Sequence, residues 1–511
     1  MRISDKGRKR AQLSLISTLS LLLAAGGIKL LLDKSWFLGA FTLISALLCA
    51  RIYTSEKHIP GKYLLPGVIL LIFFHIYPAL YSGQVAFTND SNGHQLTKSQ
   101  AIDAIIEDSR IPIENQSPTR YFAATQKSTG EIFAVFEYSN KGYWAGNSET
   151  VFPLYKSDLR IDLNGEISNI REFELISPSS YSEISDLLQA MQIRLPSQEV
   201  LIPSDFEYLE AFVPGLVYFP EADEIHEIST GTIYGPNDNG QMVSAAGEVL
   251  YPGWKANIGF RNFSSIVTNP EVRRPLLAVL SWTFVNAFIS VVLAFLMGLT
   301  LALIFNFPAL KSKRIYRTIF ITPLAIPSVL SVLVWAGLFQ TSNGVINRLF
   351  HSEIPWLTDA SWARIAILIV ELWISFPYMF LITTGAIQAI PGEIIEAAEI
   401  DGATPFKSFT QIKLPLVLRT VAPLLIASGA MALNNFGVIY LLTGGGPTFS
   451  NSNGNAGATD ILISYTYKLA FNGQEGNNYG LASALSILNF VLVGIMSIYG
   501  LKRIKTMEGI N

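Results

Sequence analysis

The chain has 511 residues, half of them hydrophobic and only 15% charged, with a mean hydropathy of +0.37. A soluble enzyme of this size would not carry so many long apolar runs, so the composition points to a polytopic membrane protein. The net charge of −3 hides an asymmetry: residues 84–275 hold 26 Asp/Glu against 13 Lys/Arg, whereas the remainder holds 13 against 23, which predicts an acidic soluble domain inserted in a basic-flanked membrane body.

Eight apolar stretches can each cross about 30 Å of hydrocarbon at ~1.5 Å per residue. They fall near 12–32, 36–52, 63–82, 276–305, 315–340, 363–389, 420–442 and 480–501. The first has a basic leader and small residues Ala24 to Gly27, as a cleaved signal would, but apolar character resumes through Ile28 to Leu32. An uncleaved helix is expected. Cys49 is the one cysteine and lies in the second run, so no intrachain disulfide can form. His75, beside Tyr77-Pro78, reads as a packing or interface residue.

Basic residues orient the spans. Arg2, Lys6, Arg8, Lys9 and Arg10 precede the first, and Arg51, Lys57 and Lys62 follow the second. Lys311, Lys313, Arg314 and Arg317 follow the fourth, Lys407, Lys413 and Arg419 the sixth, Lys502, Arg503 and Lys505 the eighth. The short opposite loops hold only Lys34, Arg348 and Lys468. The basic side is predicted to be cytoplasmic, with both termini inside and 84–275 outside.

Within that domain, Ser99 to Arg110 and Ser182 to Ile193 read as amphipathic helices opened by serine caps. Arg120 to Trp144 alternates around the turn Ser128-Thr129-Gly130, and Val151 to Ile170 repeats the pattern around Asn164-Gly165. A β-rich α+β domain follows, with no metal-ligand cluster or nucleophile motif, and with His226 as a surface residue.

Between the sixth and seventh spans stands EAAEIDGATPFKSFTQIKLP, residues 396–415. Good helix formers run from Ile394 to Ile400. Gly402 can take the positive φ that ends a helix, and an apolar-patterned segment (Phe406, Phe409, Ile412) follows, with Pro415 closing it. No GxxxxGK[ST] loop occurs anywhere; Gly444-Gly445-Gly446-Pro447 reads as a helix-ending turn.

Glu396, Ala397, Ala398, Gly402, Ile412, Leu414 and Pro415 stand at the fixed positions of the coupling motif of ABC importer permeases, with both spacings kept. The chain resembles that family. The order of three spans, a large external domain and five spans is similar to the larger, MalF-type permease subunit of maltose/maltodextrin importers. So are Tyr316 to Ser328, Trp373 to Tyr378, Asn434 to Pro447 and Thr459 to Leu481. The similarity is strong over about 255–505, looser in the external domain, and architectural in the first three spans.

The resemblance implies an all-α polytopic membrane protein of about eight spans with the ABC importer permease fold and an inserted periplasmic β-rich α+β domain. Its divisions would be 1–83, 84–275 and 276–505, with a cytoplasmic coupling loop at 391–419. It implies a bacterial inner membrane and its lipid, a second smaller permease, two copies of an ATPase subunit and a periplasmic sugar-binding protein. No nucleic acid partner is expected. The chain itself would hold no cofactor and catalyse nothing, ATP and Mg residing on the ATPase.

A transported sugar needs hydroxyl-matching groups and a ring face near mid-membrane. Ser428 and Asn435 lie seven residues apart, about two helical turns, and so share a face. Pro377 in the sixth span removes a backbone donor and predicts a kink. By resemblance the maltose site falls on Tyr378, Ile374, Ser375, Ser428, Met431, Ala432 and Asn435. Two positions depart from the family pattern: Ala432 stands for an expected asparagine and Met431 for an aromatic. A longer dextrin or another α-glucoside is compatible with that change. Asn434 reads as interhelical glue. Glu371, an ionisable residue within a span, is by default a functional candidate. It lies about two turns from the external end, where water or a basic neighbour could satisfy it, and a proton relay is not expected. A sensory receptor would need a larger cytoplasmic output region than this sequence shows, and a membrane enzyme would need a carboxylate pair or metal site at the membrane edge; Glu399 and Asp401 face the wrong compartment for an external substrate.

Overall fold

The computed structural model describes residues 5–33, 35–55, 59–113, 117–138, 142–161, 167–197, 199–307, 312–450, 455–473 and 476–508. The expected turn at Asn164-Gly165, and Arg2, Lys34, Lys57 and Lys311, lie outside the described residues.

Helices Asp5–Leu32 and Trp36–Thr54 form a hairpin. Their glycines make the approach possible: a Cβ on Gly39 would stand 3.0 Å from the Gly27 carbonyl and 2.6 Å from Leu31 Cγ. A third helix, Ile59–Val85, runs through Pro66 and a π turn at Ile72–Ile76. Stacked Phe37–Tyr77 and Phe41–Phe73 rings, 4.7 and 6.0 Å apart, bind it to the second helix. His75 is exposed on it, which leaves an interface as the remaining one of its two readings, and Cys49 is a free thiol.

The inserted domain contains two antiparallel sheets. In the larger, strands run in the spatial order 151–153, 143–146, 132–137, 119–126, 208–214, 200–203 and 193–194. It is covered on both faces. Tyr121, Phe136, Leu201 and Leu209 pack on one side with Leu188, and Ala124, Phe133, Val135 and Phe173 on the other. The smaller sheet is a five-strand meander over 216–250, packed against helix Lys98–Asp108 through Ile102, Ile105 and Trp254. Thr97, not Ser99, caps that helix, in a capping box with Gln100. The expected helix 182–193 shortens to a 3-10 turn, Pro178–Ile184, and one α turn, Ser185–Gln189. Its last residues are drawn into the sheet, where Ile193 pairs with Leu201. The domain's two ends meet: Ile258 N–H donates to the Phe87 carbonyl at 2.9 Å, and the Asn262 amide donates to the carbonyls of Ala86 and Thr88. His226 is on a strand, bonded to Glu224 at 3.1 Å.

Six described helices are long and apolar enough to cross a membrane: Trp36–Thr54, Ile59–Val85, Pro270–Asn306, Ala360–Gln388, Pro405–Ala432 and Tyr479–Lys502. A bent pair, Lys313–Ala325 and Ser328–Leu338, makes a seventh. Eight full spans were expected, and two differ. The apolar part of the first helix, Ile16–Leu32, falls short of 18 residues. The fifth turns by 93° at Ile326-Pro327. There Ile326 is extended (ψ 126°), as a residue before proline prefers, and Pro327 cannot donate to a continuing helix.

The core of the bundle is the parallel pair 270–306 and 360–388. Trp282 meets Arg364 near their starts, and the Gln388 amide donates to Asn306 at 2.9 Å near their ends. The inserted domain precedes one helix and the 391–419 loop follows the other, so domain and loop lie at opposite ends of the bundle. Gly298 sets the spacing, because a Cβ there would stand 2.6 Å from backbone atoms of Met379 and Phe380. Gly298→Ala is therefore expected to lower stability by about 1–3 kcal/mol, since helix backbone cannot yield as a side chain can. The melting temperature of the purified chain in detergent reads this; an unchanged value would show that the helices shift freely.

Candidate functional site

A cavity of about 460 Å³ lies among the helices 270–306, 360–388 and 414–432. Its wall takes Ser290, Val291 and Ala294 from the first, and Glu371, Ile374, Ser375, Tyr378 and Met379 from the second. Ser428, Met431, Ala432, Asn435 and Val438 come from the third and its continuation, and Ser328 from the bent pair. Ser375 is about 22 Å along its helix from the start, so the cavity is near mid-bundle. All seven residues expected to meet a sugar stand on this one wall. Tyr378 and Met431 are the exposed members, so the cavity opens on their side of the chain.

Asn435 reaches the cavity by a route the sequence did not suggest. The expected straight seventh span ends at Ala432, and a new helix, Phe436–Leu442, starts after a break. Asn435 is the N-cap residue of that second piece, with ψ 60°, instead of lying two turns above Ser428 on one helix. Asn434 packs elsewhere, accepting from the Asn489 amide at 2.8 Å, which makes it the interhelical tie expected. The 360–388 helix is unbroken through Pro377.

Glu371 is held by amides and not by a basic neighbour. It is buried (2% exposed) and has no basic neighbour among the residues lining the cavity. Its carboxylate accepts from the Asn286 amide at 3.3 and 3.2 Å and from the Asn435 amide at 3.0 Å. Its partner Asn286 is 85 residues away, so only the presence of an ionisable residue inside a span could have signalled this cluster.

At the far end of the bundle, helix Gly392–Ile400 stops as its sequence predicts. Gly402 has φ +76°. The Gly402 N–H donates to Glu399 at 3.0 Å and the Ala403 N–H to Ala398 at 2.9 Å, the paired bonds of a Schellman cap. Thr404 caps the next helix by accepting from Lys407 N–H. Pro415 does not close that segment. A π turn, Phe409–Lys413, carries the chain into the membrane helix, absorbing the donor that Pro415 lacks. Of the motif residues, Ala398 is buried in its own chain, Ile412, Leu414 and Pro415 are half-buried, and Glu396, Ala397 and Gly402 are exposed. Leu414 and Phe409 pack on Val417, Met379 and Ala386, anchoring the loop to the bundle. Ile400 and Phe406 project free, at 86% and 74% exposure.

The Gly444–Pro447 segment ends helix 436–442 with two left-handed glycines, φ 59° and 81°. Among the described residues no group of His, Cys, Asp or Glu could hold a metal ion.

Comparison with known proteins places these features in context. The family model described as the binding-protein-dependent transport system inner membrane component matches residues 290–504. The N-terminal model of membrane subunits in binding-protein-dependent ABC transporters matches 69–149. The chain is 33% identical to the maltose/maltodextrin transport system permease protein MalF of Photorhabdus laumondii, covering 88% of each chain. It is 33% identical to the protein of that name from Salmonella typhimurium, covering 96% of this chain and 95% of that one. A solved chain of a bacterial ABC transporter involved in the import of the acidic polysaccharide alginate has a TM-score of 0.42 and 24% identity, over 49% of this chain and 84% of that one.

Proposed function

Because this chain belongs to the MalF family of binding-protein-dependent ABC importer permeases, we propose that it carries maltose- or maltodextrin-like oligosaccharides across the bacterial inner membrane. The carrying observation is the cavity: seven residues, from helices 360–388 and 414–432 and the break after the latter, share one wall at mid-bundle, in a chain whose relatives are named for that transport. Met431 and Ala432 leave that wall with less hydrogen bonding and no second ring, which favours a longer dextrin or another α-glucoside over maltose.

In this reading residues 1–83 are accessory spans and 84–275 a periplasmic docking domain for a sugar-binding protein. Residues 276–505 form the permease core, with the 391–419 loop in the cytoplasm. The five basic clusters support that orientation, with both termini inside. The exposed Ile400 and Phe406, at the end of the bundle away from the inserted domain, supply an apolar surface for an ATPase subunit that binds ATP and Mg. A second permease completes the pathway on the open side of the cavity.

Purifying the tagged chain from native membranes tests the assembly. An ATPase subunit and a second, smaller permease are expected to come with it at fixed stoichiometry. Recovery of the chain alone, or only with cytoplasmic signalling proteins, would contradict the reading.

A further inference from the structure

We propose that the groove between the domain-side ends of the third and last membrane helices is a site for one phospholipid with a phosphoethanolamine headgroup, its phosphate on Lys255 and its ammonium on Asp90. The site requires only that the chain cross a membrane, so it stands or falls apart from the transport reading.

The groove holds about 660 Å³, more than the mid-bundle cavity, and lies where helix 59–85 ends and helix 479–502 begins. Backbone bonds fix its walls. Gly480 N–H donates to the Asp90 carbonyl at 3.0 Å, and Asn92 N–H to the Asn477 carbonyl at 3.1 Å. A Cβ on Gly480 would stand 2.2 Å from the Thr88 carbonyl, so glycine is what lets the last helix start this close to the domain. The groove is thus formed before any ligand arrives, which spares the ordering cost of binding.

Its lining is of two kinds. Val85, Ala482 and, from helix Leu462–Phe471, Ile463, Ala470 and Phe471 are apolar, whereas Asp90, Gln95 and Lys255 come from the base of the inserted domain. Tyr81, Tyr467 and Tyr479 add rings with a polar tip, the side chains that settle at headgroup level. Farther along the two spans, Ile76, Leu80 and Phe490 are exposed, as contact with acyl chains requires. Water gains nothing from such a floor. An amphiphile lays hydrocarbon on the helices and its head on the domain.

The charges select the head. Asp90 and Lys255 are the charged groups of the lining. Lys255 Nζ donates to Asp90 Oδ2 at 2.5 Å and lies 6.0 Å from the centre of the Tyr81 ring. The pair is not exhausted, because an ammonium has further N–H donors and a carboxylate a second oxygen. A phosphoethanolamine head carries its own phosphate and ammonium a few bonds apart. Laid beside the pair, it completes a ring of alternating charges in which each hydrogen bond is charge-assisted. An anionic head without the ammonium would set its phosphate near Asp90 uncompensated. As a bare strap, a part-exposed ion pair contributes little.

The test uses the full chain, purified with whatever subunits accompany it and placed in nanodiscs of equimolar palmitoyl-oleoyl phosphatidylethanolamine and phosphatidylglycerol. Lipid that stays bound on release from the disc is counted by native mass spectrometry. One phosphatidylethanolamine is expected to remain, at about a tenfold excess over phosphatidylglycerol. Asp90→Asn, which is near-isosteric, should abolish the preference, and Lys255→Met should lower retention of both lipids about tenfold. The melting temperature of each variant is read first. Where Lys255→Met does not fold, Asp90→Asn carries the comparison. No retained lipid, or equal retention of the two headgroups by the wild type, overturns the proposal. So does an unchanged preference in Asp90→Asn, which places the lipid elsewhere. A photo-crosslinker at Phe471 should capture lipid. Capture of another subunit alone would make the groove a subunit contact, and maltotriose held there instead of lipid would make it a sugar site; either result overturns the proposal and leaves the transport reading standing.

Discussion

Replacing Gly402 with proline is expected to abolish ATP-coupled uptake and to release the ATPase subunit, while the chain still inserts in the membrane. Gly402 holds φ +76°, and proline is confined near −65°, so the Schellman turn cannot form. Proline also deletes the N–H that donates to Glu399. The helix 392–400 would then lose its fixed angle to the segment after Thr404, and Ile400 and Phe406 would no longer present one surface. Gly402→Ala separates geometry from bulk. No atom lies within 4 Å of the added Cβ, so the cost is only left-handed strain of about 1–2 kcal/mol, and partial coupling should survive. Uptake and ATPase co-purification, measured together, check both variants. A Gly402→Pro complex that retains its ATPase and transports normally would show that the loop does not transmit force.

Asn435→Ala is expected to reduce sugar uptake at least about tenfold without preventing assembly. The substitution removes a polar group from the cavity wall and takes from Glu371 its donor at 3.0 Å. Leaving a buried acceptor short of a partner costs about 1–3 kcal/mol, more when it is charged. Asn435→Asp should be worse, because it sets a second carboxylate at hydrogen-bonding distance from Glu371, where two like charges cannot both ionise readily. Ser428→Ala, which disturbs no ionisable group, should be the mildest of the three. Initial uptake rates normalised to assembled complex decide the ranking. Normal uptake by Asn435→Ala would move the pathway away from this cavity.

Much of this was legible in the sequence because it is local. Apolar run length located the membrane helices, and the cap at Gly402 follows from helix formers up to Ile400 and a residue free to adopt positive φ. The similarity of Trp373–Tyr378 and Asn434–Pro447 to an importer permease pointed to segments that do meet at one cavity. What stayed hidden depends on distant partners or on competition between rules. Hydropathy alone read 315–340 as one span, although Pro327 bends it. It also read 420–442 as continuous, because nothing apolar marks the break at Asn434-Asn435. Glu371 looked peripheral in one dimension, since its burial follows from helix 270–306 bringing Asn286 to it. The two-sheet division of the inserted domain rests on short strands, and the larger sheet is joined through pairs far apart in the chain, Arg120 with Tyr208 and Thr125 with Glu174, which alternation cannot assign. The helix expected at 182–193 gave way because burial of Ile193 in a sheet outweighed local propensity.

The most direct test of the central claim is uptake of labelled maltotriose into proteoliposomes containing this chain with its co-purified partners. Uptake is expected only when ATP and Mg are supplied on the side of the 391–419 loop and the sugar-binding protein on the side of the inserted domain, and it should stop when either is omitted. Accumulation that proceeds without ATP, or no accumulation of any α-glucan by a complex that hydrolyses ATP normally, would contradict the account.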